Sequence, residues 1–285
     1  MLTIKTIPIL DRGAQLTAYI QQPSDEMTAN AVKPAMIIFP GGGYVFCSDR
    51  EAEPIALSYL GKGYQAFVLN YSCQENARDE QPLREAEEAI RLVKSNCEEW
   101  FVNPEKIAVS GFSAGGHLAL WSALCGAHRP NALVLSYPAT KLYTEQMGVS
   151  IPLYALLGKD NITPEKAEKL NLAQYVTKDA PPMFVWGTSE DKLVRAGTLL
   201  EFASAYAQAE VPFEMHIYSK GIHGMSLAED YIANGNEVNV SDRASDWFRM
   251  SCDWLRETLG GFPVEKKEGG IPAAAKEFRK KLGMD

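Results

Sequence analysis

Short apolar runs alternate with longer amphipathic stretches along most of the 285 residues. The runs at 35–39 (Ala-Met-Ile-Ile-Phe), 65–70, 106–110, 132–136, 182–187 and 213–218 are rich in branched and aromatic side chains, too short for helices, and read as strands. Between them, stretches at 51–61, 82–101, 114–126, 195–209 and 241–259 are long enough to cross over a sheet as helices, so the strands they join run parallel. Residues 2–6 and 15–21 flank the turn Asp11-Arg12-Gly13 and predict an antiparallel pair at one edge. The pattern as a whole predicts an α/β protein: a mostly parallel sheet of about eight strands flanked by helices.

Two segments break the rhythm. Residues 137–176 hold Pro138, Pro152 and a short helix with Thr163 as N-cap and Pro164 in its first turn. This segment reads as an insertion or lid after the sixth strand, or as an ordinary surface excursion. From Gly260 onward, Gly261, Pro263 and the run Lys266 to Gly270 are chain breakers and solvated charge, followed by a short amphipathic helix at 273–282. One domain over 1–260 and a tail over 261–285 are expected, the tail docking on the body or on a second subunit. The sequence holds no internal repeat and leaves the oligomeric state open.

Apolar residues make up 46% of the chain and charged residues 22%, an ordinary globular balance that excludes wholesale disorder. With 28 Lys and Arg against 36 Asp and Glu, the formal charge is −8, which argues against nucleic acid or anionic membrane as a partner. The start, Met1-Leu-Thr-Ile-Lys-Thr-Ile-Pro8, lacks the continuous apolar stretch of a signal peptide, and no run approaches the length of a membrane span. The five cysteines, Cys47, Cys73, Cys97, Cys125 and Cys252, show no metal-type pairing. Free thiols in a reducing cytoplasm, with no metal, are the expectation.

The chemistry concentrates on Gly111-Phe112-Ser113-Ala114-Gly115, which follows the 106–110 run and leads into the helical stretch Gly116-His117-Leu118-Ala119-Leu120-Trp121. Gly-x-Ser-x-Gly alone is modest evidence, and a plain turn of small residues is the alternative. At a strand-to-helix junction it is the pattern of a nucleophile elbow, which strains the serine backbone and lifts Oγ above the sheet at a helix N-terminus. A nucleophilic serine needs donors for the developing oxyanion. The Ala114 N–H is one. The loop Pro40-Gly41-Gly42-Gly43-Tyr44, after the 35–39 strand, offers Gly42 and Gly43 for the other.

Four histidines compete for the general base: His117, His128, His216 and His223. Elbow hydrolases order their triad as nucleophile, acid, histidine along the chain. No Asp or Glu lies between Ser113 and His128, which removes His117 and His128; His117 is expected to hold local hydrogen bonds in its helix. His216 sits inside an alternating strand, whereas His223 lies in the loop just beyond it, where ligands meet open parallel sheets. For the acid, the loop after 182–187 offers Glu190 and Asp191; Asp191 is preferred because it directly precedes the next helical run, with Glu190 the close alternative. Tyr44, Tyr71, Tyr137 and Tyr143 lie near these loops, either to stack on a sugar and wall an acyl pocket or to pack the core.

Pro40 to Tyr44, Gly111 to Ala119, Gly187-Thr-Ser-Glu-Asp191 and Gly221-Ile-His-Gly224 together resemble the bacterial acetyl esterase and acetyl-xylan-esterase-like branch of the α/β-hydrolases, related to the hormone-sensitive-lipase group. The similarity covers about residues 15–260. Ser113, Asp191 and His223 stand at that family's triad positions. Pro40 replaces the histidine that opens the glycine loop in the hormone-sensitive-lipase pattern, and the large helical N-terminal cap of that group is missing. This departure leaves Gly42 with Gly43, or Gly43 with Tyr44, as the loop's oxyanion donors. The resemblance implies an α/β-hydrolase fold and hydrolysis of short-chain acyl esters, foremost acetyl esters of sugars such as xylo-oligosaccharides, through an acyl-enzyme and without cofactor. Two rival functions share the motifs. A prolyl-oligopeptidase-type peptidase would carry a propeller for which 285 residues leave no room, and a non-catalytic ligand receptor, like the plant gibberellin receptors, would tend to lose a triad member.

Overall fold

Successive residues of the central strands face opposite cores in the computed structural model, which describes residues 1–144, 148–264 and 273–284. In chain order the strands are β1 (Leu2–Ile9), β2 (Ala14–Gln21), β3 (Lys33–Phe39), β4 (Gln65–Asn70), β5 (Val102–Phe112), β6 (Ala132–Ser136), the short β7 (Tyr143–Thr144) and β8 (Gly148–Val149), β9 (Met183–Thr188) and β10 (Phe213–Tyr218). The helices are α1 (Glu53–Leu60), α2 (Gln81–Ser95), α3 (Ala114–Cys125), α4 (Ile151–Leu157), α5 (Pro164–Glu168), α6 (Ala196–Gln208), α7 (Asp242–Leu259) and α8 (Ala273–Lys281).

Eight strands form one sheet in the order β1-β2-β4-β3-β5-β6-β9-β10, while β7 and β8 make a separate two-stranded hairpin. The β1–β2 and β2–β4 pairs are antiparallel and every other pair in the large sheet is parallel. The apolar runs are buried on both faces, as parallel strands under helices must be. Ile37, Phe67, Val109, Leu133 and Val185 point to a core closed by α2, α3 and α6. Their neighbours Ile38, Val68, Ala108, Val134 and Phe184 point to a second core closed by α1 and α7. Helix α3 is buried from Ala114 to Leu124, so it lies wedged within the molecule rather than on it.

The largest boundary difference from the sequence expectation lies between α2 and β5. Helix α2 stops at Ser95 instead of reaching residue 101, the chain turns at Phe101 (φ +54°), and β5 starts at Val102. Val102 pairs with Lys33, the register then shifts, and pairing resumes at Ala35 with Ile107. Pro104 is accommodated in that irregularity, where no ladder hydrogen bond is required of it.

Between β6 and β9 the chain forms the β7–β8 hairpin, α4 and α5. The Thr163 hydroxyl caps α5 by accepting from the Lys166 N–H. Leu153, Leu156, Ala167, Leu170 and Leu172 are buried in the α2–α3–α6 core, so this segment packs on the body. The Lys266 to Gly270 run lies outside the described residues. Helix α8 is largely exposed from Lys276 onward. Among the described residues, no helix is long and apolar enough to cross a membrane.

Candidate functional site

The C-terminal ends of β3, β5, β6, β9 and β10 deliver one group each to a common rim. Ser113 follows β5 and precedes α3 with φ +51° and ψ −114°, a conformation that a non-glycine residue keeps only when its surroundings impose it. Three backbone bonds impose it here. The Ser113 N–H donates to the Ser136 carbonyl at 3.0 Å, and the Ser113 carbonyl accepts from His117 N–H and Ala139 N–H, both at 3.0 Å. Gly115 is required by close packing, because a Cβ there would collide with the carbonyl oxygens of Phe39 and Pro40.

Ser113 Oγ lies 2.7 Å from His223 Nε2, and His223 Nδ1 lies 2.7 Å from Asp191 Oδ2. The histidine side chain is 15% exposed and the aspartate 1%, so their contact is shielded from water. Asp191 Oδ1 accepts from the N–H groups of Leu193 at 2.8 Å and Val194 at 2.9 Å, which fixes the carboxylate at the turn before α6. With Asp191 an acceptor, His223 carries its proton on Nδ1 and turns a bare Nε2 toward the serine hydroxyl. Glu190, the alternative acid, instead accepts from the Gly221 N–H at 3.2 Å, away from the imidazole.

The glycine loop curls above the serine. Gly42 has φ +130°, and a Cβ there would strike the Phe46 carbonyl oxygen. Gly41 donates its N–H to Glu51 Oε2 at 2.8 Å, so the amides still open to a ligand begin at Gly42 and Gly43. Ala114 opens α3, whose first N–H groups have no partner within the helix.

Of the two roles the sequence leaves open for Tyr44, Tyr71 and Tyr137, contact with substrate or packing, burial favours packing. They are 0%, 3% and 1% exposed. Their hydroxyls meet His117 Nδ1 at 2.8 Å, the Pro40 carbonyl at 2.6 Å and Glu51 Oε1 at 2.6 Å respectively. Aromatic rings so enclosed brace the loops from behind. The Tyr143 side chain lies outside the described residues. The bonds of His117 also differ from the local ones expected: Nδ1 accepts from the Tyr44 hydroxyl, and Nε2 donates to the Leu170 carbonyl at 2.9 Å, 53 residues away. His216 bonds Glu214 in β10 and takes no part in the site.

Glu51 is the residue sequence reasoning missed. It stands in Asp49-Arg50-Glu51, a charged triplet that composition assigns to solvent, yet it is 3% exposed beneath the glycine loop. Burial pushes its carboxyl above the usual range, against the pull of the Tyr137 hydroxyl, the Gly41 N–H, His223 and Arg50. Among the described residues, no group of three His, Cys, Asp or Glu side chains converges as metal ligands would.

A doubly flanked, mostly parallel eight-stranded sheet with a strained serine on the β5–α3 turn is the α/β-hydrolase architecture. A family model described as BD-FAE matches residues 20–205, and the chain belongs to that family. It is 44% identical to MGS-M1, an α/β hydrolase from a Medee basin deep-sea metagenome library, with a TM-score of 0.79 over 90% of this chain and 98% of that one. It is 30% identical to endo-1,4-beta-xylanase B of Butyrivibrio fibrisolvens over 71% of this chain, and 29% identical to the acetylxylan esterase of Xylanibacter ruminicola over 78%. The matches span 34% and 46% of those two relatives' own lengths.

Proposed function

We propose that the protein is a serine carboxylesterase that hydrolyses short-chain acyl esters, foremost acetyl esters of sugars. The observation that carries this reading is the continuous chain of contacts from Ser113 Oγ to His223 to Asp191, 2.7 Å at each step. In this reading His223 takes the hydroxyl proton as Ser113 attacks the ester carbonyl, and Asp191 stabilises the imidazolium without itself becoming protonated. The amides of Ala114, Gly42 and Gly43 receive the oxyanion. The alcohol leaves with the proton from His223, and water activated by the same imidazole releases the acid. Likeness to an acetylxylan esterase and to a xylanase supports acetylated xylo-oligosaccharides as the substrate class.

Ser113→Ala tests the mechanism. Hydrolysis of p-nitrophenyl acetate is expected to fall about 10⁴-fold or more while the fold persists. Unchanged hydrolysis would sink the reading. A series of acyl donors from acetyl to octanoyl, on xylosyl and on simple alcohol leaving groups, is expected to favour acetyl xylosides in kcat/KM.

A further inference from the structure

Glu51 joins parts of the chain that the proposed reaction must hold in register. One oxygen accepts from the Gly41 N–H at 2.8 Å and the other from the Tyr137 hydroxyl at 2.6 Å. That hydroxyl in turn accepts from the Ser226 N–H at 2.8 Å, in the loop that carries His223. The Tyr137 ring stands edge-on to the His223 ring, with centroids 5.0 Å apart. Arg50, the preceding residue, donates to the Gly224 carbonyl at 2.8 Å, and its own carbonyl accepts from the Ser226 hydroxyl at 2.5 Å. The glycine loop, the residue after β6 and the histidine loop are thus tied to one short turn.

A carboxylate with its solvent removed is a costly way to fill space, and an apolar side chain of similar volume would be cheaper. Its geometry fits a different task. Turning the Gly41 N–H inward and engaging it sets the direction of the next peptides, those of Gly42 and Gly43. Holding Tyr137 fixes one wall of the imidazole.

We propose that Glu51 is a positioning residue of the hydrolytic site, aligning the oxyanion loop through Gly41 and the general base through Tyr137 and Ser226. The inference rests on the esterase reading above. It assigns Glu51 a second, electrostatic effect. When His223 becomes an imidazolium it faces Asp191 directly and Glu51 across the Tyr137 ring, with the Arg50 guanidinium as the nearby cation. Around Glu51 itself stand Tyr137, Arg50, His223 and, from the segment after β4, Tyr71.

The test uses Glu51→Gln and Tyr137→Phe in the full chain. It compares the rate of Ser113 labelling by a fluorophosphonate, which needs no knowledge of the ester, with kcat and KM on p-nitrophenyl acetate across the pH range and with thermal unfolding. Glutamine can still accept from Gly41, but it replaces one acceptor by a donor and removes the charge. Glu51→Gln is expected to lower labelling and kcat about 10- to 100-fold with KM within about threefold. The acid limb of kcat/KM should change, because the variant lacks the buried carboxyl whose titration burial raises above the usual range. Tyr137→Phe keeps the charge and is expected to lower kcat about tenfold with a smaller displacement of the acid limb. Wild-type labelling with Glu51→Gln folded, equally reactive and unshifted overturns this inference alone. The same follows if Glu51→Gln fails to fold while folded Tyr137→Phe is fully active. A wild type that neither labels nor hydrolyses ester overturns the esterase reading and this inference with it.

Discussion

His117 is buried on helix α3 between Tyr44, Trp121 and the Leu170 carbonyl. Burial lowers its pKa from 6.5 to about 4, although the Leu170 bond pulls the other way. Its folded-state pKa is therefore depressed, and between these two values the unfolded chain binds the proton more readily than the folded one. The stabilisation is fully present above pH 6.5 and is lost as pH falls toward 4, amounting to about 3 kcal/mol across the window. Thermal melts through that range should show the wild-type Tm falling more steeply than that of His117→Asn, which starts lower at neutral pH but lacks this titration. The three residues that meet here, Ser113, His223 and Asp191, could be picked out at this scale because elbow, loop and chain order each constrain them. The partners of His117 were not, since Tyr44 and Leu170 lie 73 and 53 positions away and only folding brings them together. Glu51 was hidden for the same reason: nothing in Asp49-Arg50-Glu51 announces which of the three charges turns inward.

Helix α7 shows what periodicity reveals of an element and what it leaves out. Its apolar stripe predicts a helix over 241–259, and the structure has it at Asp242–Leu259 with Ser241 as N-cap, the hydroxyl accepting from the Ala244 N–H. Periodicity does not disclose that one side chain of the stripe reaches the histidine loop. Trp247 stacks on Trp186 at 5.5 Å and donates its indole N–H to the Ser226 carbonyl at 3.0 Å. Trp247→Phe keeps an aromatic ring but leaves that carbonyl without its indole donor, so a loss of about 1–3 kcal/mol is expected in urea unfolding. A fall in kcat should accompany it, because Ser226 and His223 share a loop. Trp247→Ala should cost more, about 3–5 kcal/mol, through the cavity it opens. The central strands were plain in the sequence as unbroken apolar runs. The α2–β5 junction was not, because a strand that bulges around Pro104 does not carry a strand's pattern.

Across the whole molecule, acidic residues outnumber basic ones and the isoelectric point lies near 5.2. Self-repulsion vanishes there, so solubility should pass through a minimum close to that pH, measurable by light scattering, and recover on either side if the chain stays folded. The minimum lies within the window in which His117 titrates, and further acidification completes that titration, so recovery on the acid side should be incomplete in the wild type. The rim at the strand ends has a temporal consequence as well. Ser113 and His223 are separated by 110 positions, and the loops tied by Glu51 run from Gly41 to Ser226. Contacts this distant along the chain close late in folding, after the local turns and the helices have formed. Helical content then returns early on refolding, whereas turnover waits for β10 and the loop behind it to dock, so catalytic activity becomes a clock for the final step of assembly.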